Sequence, residues 1–207
     1  MVEKVLETSC SVGRCVFELS TIFPDARITG LDNTTRFIRI GQEMAKGNTI
    51  KLLLQNVGDV QQFYQYTIHD VLPYTVNPNN IQFLQSDLCN IDSSKHSNYN
   101  IIVVSNLTDL YAPKILLENI HKLTDDKALL FILSTGSWNT NITSDKDMWV
   151  GNLREENTNE IVYYKNRLIS ILSPYFTQLT QFTTDIHFTK RLDAKNVQVC
   201  VPNLTVW

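Results

Sequence analysis

The sequence predicts an α/β fold, a doubly wound and mostly parallel sheet of seven strands with an antiparallel last strand. Three observations support this prediction. Short apolar runs alternate with amphipathic helical segments, as in sheets built from strand–helix–strand units. The run at 99–105 is almost entirely apolar, which is typical of a strand buried on both faces. Small or polar residues follow the apolar runs, at the edge where such sheets bind ligands.

Composition limits the classes of protein that this chain can belong to. Its 207 residues, 43% of them apolar and 19% charged, are enough for one globular domain spanning 1–207. A net charge of −3 with scattered Lys and Arg excludes a general nucleic-acid binder. No apolar run reaches the roughly 18 residues of a membrane span, and no secretion signal opens the chain, so we expect a cytoplasmic protein.

The cysteines do not predict a metal site. Cys10, Cys15, Cys89 and Cys200 include no CxxC pair, and the four histidines are dispersed. Zinc sites need closely spaced ligand pairs, so these residues are better explained as reduced thiols in a cytosolic protein.

The order of elements follows from the apolar patterns. Core strands are predicted at 5–6, 27–31, 81–85, 99–105 and 128–133. Helices are predicted at 14–22 and 34–46, from Pro113 to about Leu123, and at 159–172.

Two segments interrupt this alternation, and two others close it. A β-hairpin insertion is predicted at 49–70, with its turn near 56–59. A polar, irregular loop at 136–157 carries Trp138 and Trp149 and is expected on the substrate side. Two β-like stretches, 176–188 and 196–206, follow the last helix and predict the antiparallel edge of the sheet.

The strand ends carry residues suited to a nucleotide-like cofactor. After the first strand, Ser9, Cys10, Ser11 and Gly13 allow close approach of the backbone and lead into a helix with free N–H groups. Asp32 lies 19 residues beyond Gly13, a spacing at which a carboxylate can accept hydrogen bonds from ribose hydroxyls.

Residues near other strand ends indicate which kind of cofactor the chain binds. Asp87 can meet an adenine amino group while Leu88 packs on the ring. Glu7 suits a cationic amino group, as in the methionyl part of S-adenosylmethionine. A dinucleotide would favour more glycines, and a P-loop would need Gly-Lys-Ser/Thr, so both alternatives are weakened. The residues expected to bind the cofactor are Glu7, Ser9, Cys10, Ser11, Gly13, Asp32, Asn33, Asp87, Leu88 and Asn106.

These motifs resemble those of class I S-adenosylmethionine-dependent methyltransferases with a Rossmann-like fold. Within that class the chain resembles the C-terminal mercaptohistidine N-methyltransferase domain of the ovothiol-biosynthesis enzyme. The segments that carry the resemblance are "SCSVGRCVFELS", "GLDNTTRFIRIGQ", "FLQSDLCNI", "SNLTDLYAPKILLENIHKL" and "LTVW", together with the hairpin insertion, the loop with two tryptophans, Arg191 and Gln198.

The resemblance implies a function and a set of substrate-positioning residues. It implies S-adenosyl-L-methionine as cofactor, and N-methylation of the imidazole of 5-thiohistidine, a small zwitterion, with no nucleic-acid or membrane partner. A sulfoxide-synthase domain on another chain is an expected partner. Asn106, Asp109 and Trp138 are expected at the rim of the substrate pocket, and Arg191 is expected to grip the carboxylate bidentately.

The chain also departs from the family's pattern, and these departures keep two alternatives open. Glu7, Ser9 and Ser11 replace an Asp, a Gly and an Ala of the family's loop. Ser9 is strained if its φ is positive. The residues that cover the cofactor ahead of the first strand in that family are expected to be missing here. The alternatives are a methyltransferase of another small acceptor and a non-catalytic module on the same fold.

Overall fold

The chain forms twelve strands and five α-helices within the residues that the structure describes. The computed structural model describes residues 1–73, 76–107, 110–183, 186–193 and 195–207, and the side chain of Arg191 lies outside this set. The strands are β1 (Lys4–Thr8), β2 (Arg27–Asp32), β3 (Ile50–Val57), β4 (Val60–Tyr66), β5 (Ile81–Gln85), β6 (Tyr99–Val104), β7 (Thr124–Ser134), β8 (Leu153–Arg154), β9 (Ile161–Val162), β10 (Phe188–Arg191), β11 (Val197–Cys200) and β12 (Asn203–Val206). The helices are α1 (Arg14–Ile22), α2 (Thr35–Ala45), α3 (Ile68–Val71), α4 (Pro113–Asn119) and α5 (Tyr164–Leu172).

The main sheet has the order β12-β7-β6-β1-β2-β5 over the described ranges. Its neighbouring strands are parallel, except that β12 is antiparallel to β7. The order reverses at β1, because β2 and β5 lie to one side of it while β6 and β7 lie to the other. Doubly wound sheets bind ligands at such a switch point. The predicted α/β architecture with an antiparallel last strand is confirmed.

The count of seven strands is corrected to six in the part of the sheet that is described. The predicted stretch at 176–188 contributes one isolated antiparallel bridge, between Thr183 and Leu204. The Thr180 hydroxyl accepts the N–H of Val206 at 3.0 Å, in place of the backbone carbonyl that a regular strand would offer. The predicted stretch at 196–206 divides into β11 and β12 at Pro202, which has no N–H to continue a ladder.

The core lies on both faces of the sheet, as the continuous apolar run of β6 predicts. Ile101 and Val103 belong to the buried cluster under α1 and α2, whereas Ile102 and Val104 belong to the cluster under α4 and α5. Alternate residues of a strand point to opposite faces, so β6 needs apolar residues at every position.

The hairpin predicted at 49–70 is present as antiparallel β3 and β4, followed by α3. Other boundaries differ from their predictions. The last helix begins at Tyr164, because the short pair β8–β9 occupies part of the predicted segment, and α4 ends at Asn119 in a 3₁₀ turn at Ile120–Leu123. No helix in the described part of the chain is long and apolar enough to cross a membrane.

Candidate functional site

A cleft of about 870 Å³ opens at the carboxyl ends of the parallel strands. This volume is near the upper end of the range of about 300–1,000 Å³ found for small-molecule sites. The cleft brings together eight of the residues predicted from the sequence. They are Glu7, Ser9, Cys10, Ser11, Asp32, Asn33, Leu88 and Asn106.

The loop between β1 and α1 takes left-handed backbone angles at alternate residues. The φ angles are 60° at Ser9, 51° at Ser11 and 99° at Gly13. The loop is held to β2, because the Cys10 N–H donates to the Leu31 carbonyl at 2.9 Å, and it closes on itself through a 2.9 Å bond from the Gly13 N–H to the Cys10 carbonyl. Gly13 does not line the cleft; a Cβ there would lie 2.3 Å from Cζ of Phe83 in the core.

Substitution of Ser9 by glycine is expected to leave stability unchanged or to raise it by up to about 1 kcal/mol. A left-handed conformation costs an L-residue about 1–2 kcal/mol, and glycine removes this cost. The larger conformational entropy of glycine in the unfolded state cancels about 0.5–1 kcal/mol of the resulting gain in stability. Urea denaturation would measure the change. Ser170→Gly, in the interior of α5, should lose about 1 kcal/mol. A comparable loss in Ser9→Gly would contradict the strain argument.

Glu7, near the end of β1, is a buried acid, and one of its carboxylate oxygens lacks a hydrogen-bond partner among the described residues. Its side chain is only 3% exposed, although it lines the cleft. Oε1 accepts the Ser105 hydroxyl at 3.2 Å, and Oε2 has no partner among the described residues. Burial raises the pKa of Glu7 to about 7, although the nearby Cys15 thiol, the Ser105 hydroxyl and the Val16 N–H lower it. The cleft thus contains an acid that titrates near neutral pH.

Asp32, at the end of β2, connects the two loops that flank the cleft. Its Oδ2 accepts the Ser11 N–H at 2.9 Å, and its Oδ1 accepts the Thr34 N–H at 2.8 Å. Each carboxylate oxygen has a further lone pair, so Asp32 can also accept hydrogen bonds from a ligand. Asn33 extends this link, because its side-chain oxygen accepts the Leu88 N–H at 2.9 Å.

The structure separates the predicted pair after β5. Leu88 lines the cleft, but Asp87 does not. The Asp87 carboxylate accepts the Tyr111 hydroxyl at 3.0 Å and the Cys89 N–H at 3.0 Å. These two donors leave further lone pairs on the Asp87 carboxylate, so its contact with an adenine amino group stays a prediction.

The residues predicted to position the substrate differ in whether they line the cleft. Asn106 lines the cleft, after β6. Trp138 does not; its indole N–H donates to the Gly151 carbonyl at 2.8 Å, and its ring packs 6.3 Å from that of Trp149. Trp138 thus holds the loop together, and its place at the pocket rim stays a prediction. Asp109 lies outside the described residues, and so does the side chain of Arg191, whose backbone belongs to β10.

Sequence reasoning missed several residues that line the cleft. Ser105, Leu110, Leu133, Phe188 and Lys190 all line it. Phe188 and Lys190 occupy alternate positions of β10 and so share a face. Period-two alternation could have paired them, but it could not show which face looks into the cleft.

The two cysteines that line the cleft, Cys10 and Cys15, have raised pKa values, which favour the protonated thiol. Burial raises the pKa of Cys10 and of Cys15, and the nearby Glu7 raises both further. Burial also raises the pKa of Cys89 to about 11. Thiolates are the nucleophilic and metal-binding forms of cysteine. Over the described ranges, no group of three or more His, Cys, Asp or Glu is arranged to hold a metal ion.

Comparison with solved structures identifies the fold as that of the class I methyltransferases. The chain is similar to the N-terminal domain of EvdMO1 in the presence of SAH and D-fucose, with a TM-score of 0.57 and 15% identity over 99% of this chain and 75% of that one. It is similar to the PH0226 protein of Pyrococcus horikoshii OT3, with a TM-score of 0.53 and 13% identity over 100% and 81%.

A third similar structure is the O-methyltransferase from the trans-AT PKS multienzyme of Brevibacillus brevis in complex with S-adenosyl-L-homocysteine. Its TM-score is 0.52, with 13% identity over 91% of this chain. This chain spans 49% of that protein and 21% of PKMT2 from Rickettsia typhi, whose TM-score is 0.44. No protein-family model matches the chain, and no curated protein matches its sequence. At such identities the likeness establishes the fold alone.

Proposed function

We propose that the protein is an S-adenosylmethionine-dependent methyltransferase acting on a small molecule. The observation that carries the proposal is that Glu7 and Asp32 line the same cleft. They lie at the ends of neighbouring strands, next to a loop with three left-handed residues. The bound S-adenosyl-L-homocysteine named for similar folds, such as the Brevibacillus brevis O-methyltransferase, supports the choice of cofactor.

The residues present fit this cofactor. Glu7 offers a buried carboxylate oxygen that lacks a partner among the described residues, and a cationic amino group would satisfy it. Asp32 can accept ribose hydroxyls with its remaining lone pairs. Leu88 and Phe37 offer apolar surface to a base. The cleft is also large enough for a second small molecule beside the cofactor.

The chemistry divides between the cofactor and the chain. When bound, S-adenosylmethionine supplies a methyl group on a sulfonium; transfer breaks the S–CH₃ bond, forms a bond from the methyl carbon to the acceptor and leaves the electron pair on sulfur. The chain's residues act by orientation and by exclusion of water. Val103, Leu110 and Leu133 form an apolar part of the wall beyond Glu7. A neutral nitrogen acceptor needs no strong base, since its proton can pass to solvent after transfer.

The finer proposal concerns the acceptor. The sequence resemblance supports an imidazole nitrogen of 5-thiohistidine, which a sulfoxide-synthase domain on another chain would help to supply. The assay is release of S-adenosylhomocysteine with 5-thiohistidine, set beside a panel of other imidazoles, phenols and thiols. Turnover of another acceptor alone would replace thiohistidine but keep the methyltransferase. Cofactor binding without any turnover would favour the non-catalytic module.

Loss of the Asp32 charge is expected to weaken cofactor binding at least tenfold, or by about 1.4 kcal/mol or more, because hydrogen bonds to a charged acceptor are worth about 1.5–3 kcal/mol. Calorimetric titration of Asp32→Asn and the wild type with S-adenosylmethionine measures this change. Asp59→Asn is the matched control, since Asp59 lies in the exposed turn of the β3–β4 hairpin and does not line the cleft. Equal losses in the two variants, or no binding to the folded wild type, would overturn the proposed site.

A further inference from the structure

The hairpin formed by β10 and β11 contributes residues to the lining of the cleft. β10 and β11 pair with each other as a separate two-stranded sheet. Phe188 and Lys190, two residues apart on β10, both line the cleft. The cleft therefore has a cation and an aromatic ring on one wall.

The topology attaches this hairpin to a part of the sheet that differs from the part that carries Glu7 and Asp32. β11 leads through Pro202 into β12, whose first residue, Asn203, pairs with Ser134 at the carboxyl end of β7. The hairpin is thus attached beside β7, whereas Glu7 and Asp32 belong to β1 and β2. β6 lies between β1 and β7 in the sheet. The two acids and the hairpin are consequently at different strands.

The two cationic side chains that line the cleft, Arg14 and Lys190, differ in their ion pairs. Arg14 forms an ion pair with Glu18 at 2.7 Å and donates to the Val71 carbonyl at 2.9 Å. Lys190 forms no ion pair with any described residue. The apolar neighbours on this side are Leu110, Leu133 and Phe188. A cation beside apolar surface suits a ligand that combines a negative group with an apolar body.

We propose that this half of the cleft binds an anionic acceptor: Lys190 holds a carboxylate, sulfonate or phosphate group, and Phe188 packs against the acceptor's ring or chain. The inference rests on the proposed function, because it assigns the acidic half to the cofactor. Glu7 and Asp32 repel an anion, so Lys190 orients the acceptor with its negative group away from them and its reactive atom toward the cofactor. 5-Thiohistidine is one member of this class of anionic acceptors, which also includes others.

The test uses two fluorescent probes with the same aromatic body. 1-Anilinonaphthalene-8-sulfonate carries an anion, and N-phenyl-1-naphthylamine does not. We expect the folded wild type to bind the sulfonate at least about tenfold more tightly than the neutral probe, with and without S-adenosylhomocysteine. Lys190→Gln should abolish this preference and Lys190→Arg should keep it. Lys195→Gln, which removes a charge from the turn of the same hairpin, should leave it unchanged.

The outcomes separate this inference from the proposed function. Equal binding of the two probes to the wild type, or a preference that persists in Lys190→Gln, overturns the role of Lys190. Calorimetry with S-adenosylhomocysteine on the same proteins tests the cofactor half: Lys190→Gln should bind it as the wild type does. A probe preference that depends on Lys190, in a protein that binds no S-adenosylhomocysteine, would overturn the proposed function and leave an anion site.

Any acceptor found by turnover provides a second readout. An anionic acceptor and its methyl ester or amide would be compared in the wild type and in Lys190→Gln. We expect KM for the anionic form to rise at least about tenfold in the variant, while KM for the neutral form stays the same. Equal effects on both forms would indicate a structural role and contradict the assignment.

Discussion

Gly13→Ala is expected to destabilise the protein by about 1–4 kcal/mol, because two costs add at this position and exceed the unfolded-state entropy that alanine saves. The first is the backbone: φ is 99°, a region in which an L-residue pays about 1–2 kcal/mol. The second is space, since a Cβ would lie 2.3 Å from Cζ and 2.5 Å from Cε1 of Phe83. Phe83 is buried and packs edge-on against Phe17 with the ring centroids 5.5 Å apart, so its ring has little room to move.

Gly47→Ala separates the two costs. Gly47 also has a positive φ, 79°, but no atom lies within 4 Å of its would-be Cβ. Urea denaturation of both variants should show a loss of about 0–1.5 kcal/mol for Gly47→Ala, because the unfolded-state entropy that alanine saves offsets part of the left-handed cost, and a clearly larger loss for Gly13→Ala. Phe83→Leu in the Gly13→Ala background should recover part of the difference. Equal losses at the two glycines would mean that contact with Phe83 is not limiting.

Glu7→Gln is expected to weaken binding of S-adenosylmethionine while it stabilises the empty protein above neutral pH. The binding loss should be at least about tenfold, because a neutral amide cannot form a charge-assisted hydrogen bond to the amino group. Loss of such a hydrogen bond costs about 1.5–3 kcal/mol. Calorimetric titration at pH 8 would measure it. Unchanged affinity would show that the amino group is held elsewhere.

The pH dependence of stability follows from the raised pKa of Glu7. Folding lifts this pKa from 4.5 to about 7, so the folded state favours the protonated form. Its stabilising contribution is complete below pH 4.5 and is lost as the pH rises toward 7, up to about 3 kcal/mol at 1.36 kcal/mol per pKa unit.

Urea denaturation at pH 5 and pH 8 tests this linkage. Glu7→Gln lacks the titrating group, so it should lose less stability than the wild type between the two pH values. Parallel declines in the two proteins would assign the pH dependence to other groups. Calorimetry of the wild type provides a further check, because cofactor binding at pH 6 should be accompanied by proton release from Glu7.

The part of the cleft that we propose binds the cofactor could be located from the sequence more directly than the part formed by the β10–β11 hairpin. Asp32 and the loop at Ser9–Gly13 follow parallel strands directly, so strand position alone determines where they lie. The hairpin residues Phe188 and Lys190 reach the cleft only because β12 reverses direction beside β7. That reversal is a tertiary property, and no local pattern encodes which face of β10 it turns toward the cleft.

Competition between nearby partners explains the remaining differences. Asp87 follows a strand as predicted, but the Tyr111 hydroxyl and the Cys89 N–H occupy its carboxylate. Trp138 was predicted at the pocket rim, yet its N–H finds the Gly151 carbonyl and its ring finds Trp149. Sequence spacing does not reveal such partners within a loop, and both site assignments stay predictions.

The central place of β1 has a consequence for the speed at which this protein folds. β1 lies in the first ten residues, but one of its two neighbours, β6, begins only at Tyr99. A ladder between such distant segments must close a long loop before any hydrogen bond compensates the lost chain entropy. The hairpin β3–β4 lengthens that loop without joining the sheet. Folding should therefore be slow for a chain of this size, with the edge of β1 exposed until late and open to aggregation.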